Sequence, residues 1–424
     1  MSIPNPPLRT TELEREYTLL KSKLLLFIAE IKEILSEDFP YDDSRKAATI
    51  LLRKAVRLSD IVEQFRHLKG DTKAGIALDA YKLISRGSAA LGIIARSGTT
   101  RNAFEMYEPF RLLASRFFEG EPIYLILSSE WNFVPFTLPM TLEELPRFIV
   151  IGLPASESDN ILIFPTAAHE LGHSVWRQNL FNQKLSMPLR VSIETTLSRD
   201  KSILENAFPN IKPDTFETDL FGKRMRDNFS NLVYSHTSRQ LEELFCDLIG
   251  LGIFGRSYLQ AFEYVIAPGI PVRTTGDYPA IRDRASILNS QATKKNCGID
   301  GYERAFSQAM HFSTLISEQA VTLADRVRNE FVPEISRWAD AALQKAGVSI
   351  PSQDEIEQCA LFFQAGIPVR HGAGIGVLVS AAWETMFKGD NITSISEKVR
   401  HLSDLVLKSV EVGEFQNWLS KDAR

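Results

Sequence analysis

β-type patterning is confined to one short stretch of this chain, and that confinement sets the fold class. Pro122-Ile-Tyr-Leu-Ile-Leu-Ser128 and Phe148-Ile-Val-Ile-Gly152 are branched and aromatic runs bounded by Pro, Gly and Ser, the pattern of strands. A third, short strand is expected at Trp131–Phe136. Elsewhere apolar residues recur at helical spacing. Leu19, Leu20, Leu24, Phe27, Ile28, Ile31 and Ile34 make one stripe within Glu12–Leu35. Pro40-Tyr-Asp-Asp-Ser44 breaks that helix and starts a second, to about Leu68; Gly70-Asp71 opens a third, to about Arg96. From Pro165 onward helices resume, broken near residues 209–213, 250–255, 268–279, 347–351 and 366–376. The expectation is a mainly α chain with one small β-sheet, an α+β protein. It is parsed as an α-helical region 1–97, a central core 98–295 and an α-helical region 296–424.

Composition narrows the function classes. With 48 basic and 53 acidic residues the net charge is −5, which offers no basic excess for nucleic acid or anionic membrane. No apolar run approaches the roughly 20 residues of a membrane span. The opening Met-Ser-Ile-Pro-Asn-Pro-Pro lacks the basic and apolar regions of a signal peptide. Cys246, Cys297 and Cys359 are the only cysteines and form no CxxC, so neither a disulfide framework nor a cysteine zinc site is expected. A cytoplasmic protein of enzyme size is the reading.

The chemistry lies at Pro165-Thr-Ala-Ala-His169-Glu170-Leu-Gly-His173, an HExxH motif. Histidines four apart share one helical face and can point two imidazoles at one Zn²⁺. Glu170, one residue on, is placed to take a proton from a water at that ion. Seven histidines and 53 acidic residues in 424 positions predict about 0.01 such matches by chance. Catalytic zinc takes three protein ligands. The position six after His173 is Asn179, so the third is sought on another helix. Residues 237–250 carry an apolar stripe of Leu241, Leu244, Phe245 and Leu248, with Thr237 and Gln240 as a capping box. Glu243 and Asp247 lie four apart beside that stripe, where like charges repel unless something positive joins them. Glu243 on the metal and Asp247 holding a ligand histidine would remove the conflict. Glu242 reads as a solvated companion.

HExxH followed by a helix carrying ExxxD resembles the gluzincin metallopeptidases, among them thermolysin-like enzymes and the CAAX prenyl protease with its heat-shock relatives. The resemblance spans residues 145–290. It implies a zincin-like catalytic core with one Zn²⁺ per chain, Glu243 completing the zinc site and Asp247 supporting a ligand histidine. Three departures stand out. The spacer 174–242 is a long helical insertion, the membrane helices of the prenyl-protease branch are missing, and its downstream His-Pro element stands here as Asp277-Tyr278-Pro279-Ala-Ile-Arg282-Asp-Arg284.

A donor to the oxyanion of a tetrahedral intermediate is also needed. Candidates are Tyr278, Arg282, Arg284, His236, Tyr234 and Arg370-His371. The resemblance favours Tyr278 or Arg282, since the family's extra element falls there. His67, His311 and His401 receive no role, and Gly372-Ala-Gly374-Ile-Gly376 reads as a flexible helix entry rather than a nucleotide loop. Strand Phe148–Gly152 is expected to offer an edge for extended substrate. The function expected is hydrolysis of peptide bonds in a protein or peptide substrate, with Glu170 as general base; a regulatory protein partner is a further expectation. Two other readings stay open: an inactive zinc-bound scaffold that binds a partner, and a zinc hydrolase acting on a non-peptide substrate. An intact Glu170 weighs against the scaffold.

Overall fold

The computed structural model describes residues 8–64, 71–98, 104–118, 122–131, 135–138, 145, 147–267, 272–370, 372–388 and 394–422. The chain divides into two compact units, Met1–Tyr107 with Glu121–Ser158, and Glu108–Gly120 with Asp159–Arg424. Helices dominate both. The sheet belongs with the N-terminal helices, whereas the sequence reading grouped it with HExxH. The helices after residue 296 belong with the HExxH helix rather than forming a region of their own.

The first unit holds helices α1 (Leu8–Ser36), α2 (Asp42–Gln64) and α3 (Asp71–Gly98), the three that the apolar stripes and their breaks predict. Strands β1 (Tyr124–Glu130), β2 (Phe136–Leu138) and β3 (Phe148–Pro154) follow. The short strand starts where the expected Trp131–Phe136 ends. Phe27, Ile31, Leu51 and Ile94 from the helices share a core with Ile126, Phe148 and Val150 from the sheet. β3 runs parallel to β1 on one side and pairs antiparallel with β2 on the other. This corrects the substrate-edge reading of Phe148–Gly152. β3 is the central strand, buried along its length, and Val150–Gly152 is paired on both sides, so no free ladder groups remain there for a peptide.

The second unit takes up α4 (Tyr107–Ser115) from Glu108, leaving Tyr107 in the first, and continues through α5 (Pro165–Gln178), α6 (Phe181–Arg199), α7 (Ser202–Ala207), α8 (Thr215–Thr218), α9 (Leu220–Phe254) and α10 (Arg256–Ile266). After β4 (Val272–Arg273) come α11 (Ile281–Lys294), β5 (Ala309–Met310), α12 (Leu315–Lys345), α13 (Gln353–Gln364), α14 (Ile375–Met386) and α15 (Ile395–Asp422). β4 and β5 pair parallel. No helix among the described residues is long and apolar enough to cross a membrane.

α9 is the axis of this unit. At 35 residues it is about 52 Å long, and α5, α6, α8, α10, α11, α12 and α14 all pack on it. It starts far earlier than the expected cap. Asp219 caps it, accepting from the backbone N–H of Phe221 and Gly222. Thr237 lies inside the helix, and its hydroxyl bonds back to the carbonyl of Val233 at 2.8 Å, the usual fate of a mid-helix threonine. Every residue from Gln240 to Phe254 is buried. A helix covered on all sides must pair any charge it carries, and this stretch carries Glu242, Glu243 and Asp247. Gly255, at φ +58°, supplies the left-handed turn that ends the helix and starts α10.

Candidate metal centre

α5 opens on Pro165 at its first position, where the missing N–H costs nothing. His169 and His173 follow on the face that meets α9. The two helices cross closely at Gly172, where a Cβ would stand 2.6 Å from the Cα of Cys246. Only glycine permits that approach, which brings both imidazoles to the α9 carboxylates.

Each histidine is held from behind. His169 Nδ1 lies 2.9 Å from Asp247 Oδ1, and His173 Nδ1 lies 2.9 Å from Glu242 Oε1. In the neutral tautomer Nδ1–H donates to the carboxylate, which leaves the Nε2 lone pair free to face outward. Both Nε2 atoms face Glu243, His169 at 3.3 Å from Oε2 and His173 at 3.7 Å from Oε1. The rings stand nearly perpendicular, at 85°, with centroids 5.1 Å apart. Donors about 2.0–2.1 Å from a tetrahedral zinc ion are themselves roughly 3.3–3.4 Å apart; the His169 separation matches this, and that of His173, to the other carboxylate oxygen, is longer.

Asp247 is completely buried and fully engaged. Arg284 grips it with Nε at 2.6 Å and Nη2 at 2.8 Å, and the Tyr258 hydroxyl donates to it at 2.7 Å. The same guanidinium comes within 3.3 Å of Glu243 Oε2. Burial works against the Asp247 charge, but Arg284 and His169 outweigh it and hold the carboxyl well below the usual range. Glu243 is lowered too: burial opposes its charge, and His169 and Arg284 prevail. For His169, burial opposes protonation, yet Asp247 and Glu243 lift its pKa to about 10. Glu170 is buried, and burial pushes its pKa up against the pull of the two histidines.

The donor set, imidazole nitrogens and a carboxylate, is of the kind zinc takes. Glu170, Glu242, Glu243 and Asp247 are all less than a tenth exposed, with the Arg284 guanidinium and His173 buried beside them. A ring nitrogen of each histidine and Cys246 Sγ also lie within 4.8 Å of one another, so the thiol is a rival third ligand. We favour Glu243. Its carboxylate oxygens face both Nε2 atoms.

The downstream segment is only partly as expected. Tyr278 lies at the rim, half-exposed, and the Glu243 charge, then burial, raises its hydroxyl pKa. Arg282 is exposed on α11. Arg284, half a turn on, is buried and occupies the site instead, because a helix turns about 100° per residue and two steps reverse the face. Of the other donor candidates, His236 pairs with Asp277 at 3.1 Å, Tyr234 lies under the Arg190 guanidinium, and His371 falls outside the described residues. His67 also falls outside them.

Sequence reasoning missed two partners. Glu242, read as solvated, is buried at 3% exposure and holds His173. Tyr258 on α10 carried no sequence signal. In comparisons with family models, curated proteins and solved structures, this chain matches none.

Proposed function

We propose that this chain is a cytoplasmic zinc-dependent peptidase with a gluzincin-like, zincin-type core, hydrolysing peptide bonds in a protein or peptide substrate. The observation that carries the reading is the convergence of two Nε2 atoms on Glu243, each imidazole braced behind by its own buried carboxylate. His169, His173 and Glu243 would hold one Zn²⁺. Bound there, zinc supplies Lewis acidity that polarises a carbonyl and acidifies water.

The chain's own groups do the rest. Glu170, desolvated and flanked by the two histidines, accepts the proton of the attacking water and passes it to the leaving amine. Burial raises its pKa, which suits a group that must both take and return a proton near neutrality. Tyr278, half-exposed and with its ring 6.0 Å from the Arg284 guanidinium, is the donor to the developing oxyanion. Arg284 positions Asp247 and Glu243. The three cysteines are free, two of them buried, which agrees with a reducing compartment.

The test joins metal analysis to peptide cleavage. One zinc per chain is expected, retained in Glu170→Gln and lost in Glu243→Ala; retention in Glu243→Ala with loss in Cys246→Ala would move the third ligand to the thiol. Glu170→Gln should lower turnover roughly 10²–10⁴-fold. A zinc-loaded Glu170→Gln protein with undiminished biological activity would leave the scaffold reading standing. A wild type that cleaves no peptide yet loses its activity with Glu170→Gln would point to a non-peptide substrate.

A further inference from the structure

α5 and α9 run antiparallel through the metal centre. His169 meets Asp247, His173 meets Glu242 and Glu243, and one turn further along α5 Arg177 reaches back to Glu242. At that end the paired faces carry two guanidinium groups, Arg177 from α5 and Arg239 from α9. They share one carboxylate between them. Arg177 Nη2 is 3.8 Å from Glu242 Oε1 and Arg239 Nη1 is 3.6 Å from Glu242 Oε2, both beyond hydrogen-bond reach. Glu242 is in any case committed to His173. Arg177 Nη1 is buried and has no hydrogen-bond partner among the described residues, while the Arg239 side chain is 59% exposed.

The pair also faces the right space. Arg177 stands one turn beyond His173 on α5 and Arg239 one turn before Glu243 on α9, so the two guanidinium groups continue the faces that carry the histidines and Glu243. A cation in the last turn of α5 complements the helix dipole, which accounts for the charge of Arg177. It accounts neither for the unsatisfied Nη1 nor for Arg239, which lies inside a different helix.

Resting on the peptidase reading above, we infer that Arg177 and Arg239 form a carboxylate-binding subsite that selects substrates by an anionic group near the scissile bond. Arg177 lies about 6 Å along the axis from His173, and an extended peptide advances about 3.3 Å per residue. The selected carboxylate therefore sits about two residues from the bond cut. A guanidinium pair takes a carboxylate through charge-assisted, bidentate hydrogen bonds. An Asp or Glu side chain and a free C-terminal carboxylate are equally able to supply it.

Binding and cleavage are measured side by side. Zinc-loaded Glu170→Gln protein is titrated with fluorescent peptides that differ by Glu against Gln at each position, each with a free or amidated C-terminus. At one position, or at the free terminus, the carboxylate should tighten binding roughly ten- to hundredfold; which arm responds identifies the source. Adding Arg239→Glu should reverse that preference in favour of Lys or Arg peptides, and Arg177→Gln should weaken it, zinc content staying at one per chain. A merely structural arginine would not invert charge selectivity. Equal affinities for acid and amide, or a preference that survives Arg239→Glu, overturns the subsite. Wild-type protein that cleaves peptides without regard to charge sinks the subsite alone; zinc-loaded protein that neither binds nor cleaves any peptide sinks the peptidase reading with it.

Discussion

Two aspartates on helices, one in each unit, are buried to a similar degree and do different work. Asp43, in the first turn of α2, accepts from the Tyr107 hydroxyl at 2.7 Å and the Leu125 backbone N–H at 3.0 Å. Lys46, one turn on and half-exposed, adds an ion pair at 3.4 Å. The two neutral donors come from elements distant in sequence, so one side chain ties α2 to β1 and to the segment carrying Tyr107. Asp247 instead meets a guanidinium, a hydroxyl and an imidazole. Its partners are side chains, two of them cationic or able to become so, and they gather beside three further buried carboxyl groups. Burial alone therefore does not mark a functional carboxylate. What distinguishes the second is that satisfying it orients an imidazole whose other nitrogen faces a further buried carboxylate, Glu243.

The largest expected effect breaks that second arrangement. Asp247→Ala strands the Arg284 guanidinium in the core, a change that typically costs about 3–5 kcal/mol. It also frees the His169 ring, and loss of such a brace lowers metal affinity roughly 10–100-fold. Urea unfolding and competitive zinc titration separate the two losses. The pairing Asp247→Asn with Arg284→Met removes both charges, so it should recover most of the stability and none of the zinc affinity. Recovery of both together would mean that Asp247 serves the fold just as Asp43 does.

Asp43→Ala comes next. It leaves the Tyr107 hydroxyl and the Leu125 N–H without their acceptor, at about 1–3 kcal/mol for each buried group. Unfolding should register this loss while zinc stoichiometry stays at that of the wild type. Lost zinc in a folded Asp43→Ala protein would erase the contrast between the two aspartates.

The contrast bears on what the sequence could disclose. Helical periodicity and its Pro and Gly breaks located α1, α2 and α3, and two i, i+4 pairs, His169 with His173 and Glu243 with Asp247, anticipated which side chains gather. Those are local spacings, and a helix makes them spatial automatically. Spacing placed the start of this helix at Thr237, whereas α9 runs through that residue from its cap at Asp219, a continuation that only tertiary packing reveals. The central position of β3 was equally hidden, since strand order is set by pairing between distant segments. Glu242 was misjudged for the same reason: an acidic residue looks solvated until the helix that carries it is found covered on every side.

A smaller effect is expected at Glu242. Glu242→Gln keeps an oxygen that can accept from His173 Nδ1 but gives up the charge that strengthens the bond. Zinc affinity should fall by about tenfold, at the mild end of the range for such partners, with stability close to wild type. A drop equal to that of Asp247→Ala would show the two braces to be equivalent, although Glu242 lacks the arginine that fixes Asp247.

The smallest effect is expected at Arg282, and it sharpens the comparison from the other side. Arg282 and Arg284 share one helix and one residue type, and the family resemblance favoured the first. α11 puts them on opposite faces, Arg282 exposed and Arg284 buried against Asp247 and Glu243. Arg282→Ala should therefore change unfolding free energy by no more than about 0.5 kcal/mol, as for an ordinary surface substitution, and leave zinc affinity and peptide turnover unaltered. Arg284→Ala removes the only buried guanidinium that both Asp247 and Glu243 meet, and should lower stability and zinc retention together. Measured in parallel, the pair isolates position from chemistry. If Arg282→Ala cut turnover at unchanged zinc content, Arg282 would have to reach a bound substrate from outside, and the oxyanion role assigned to Tyr278 would pass to it.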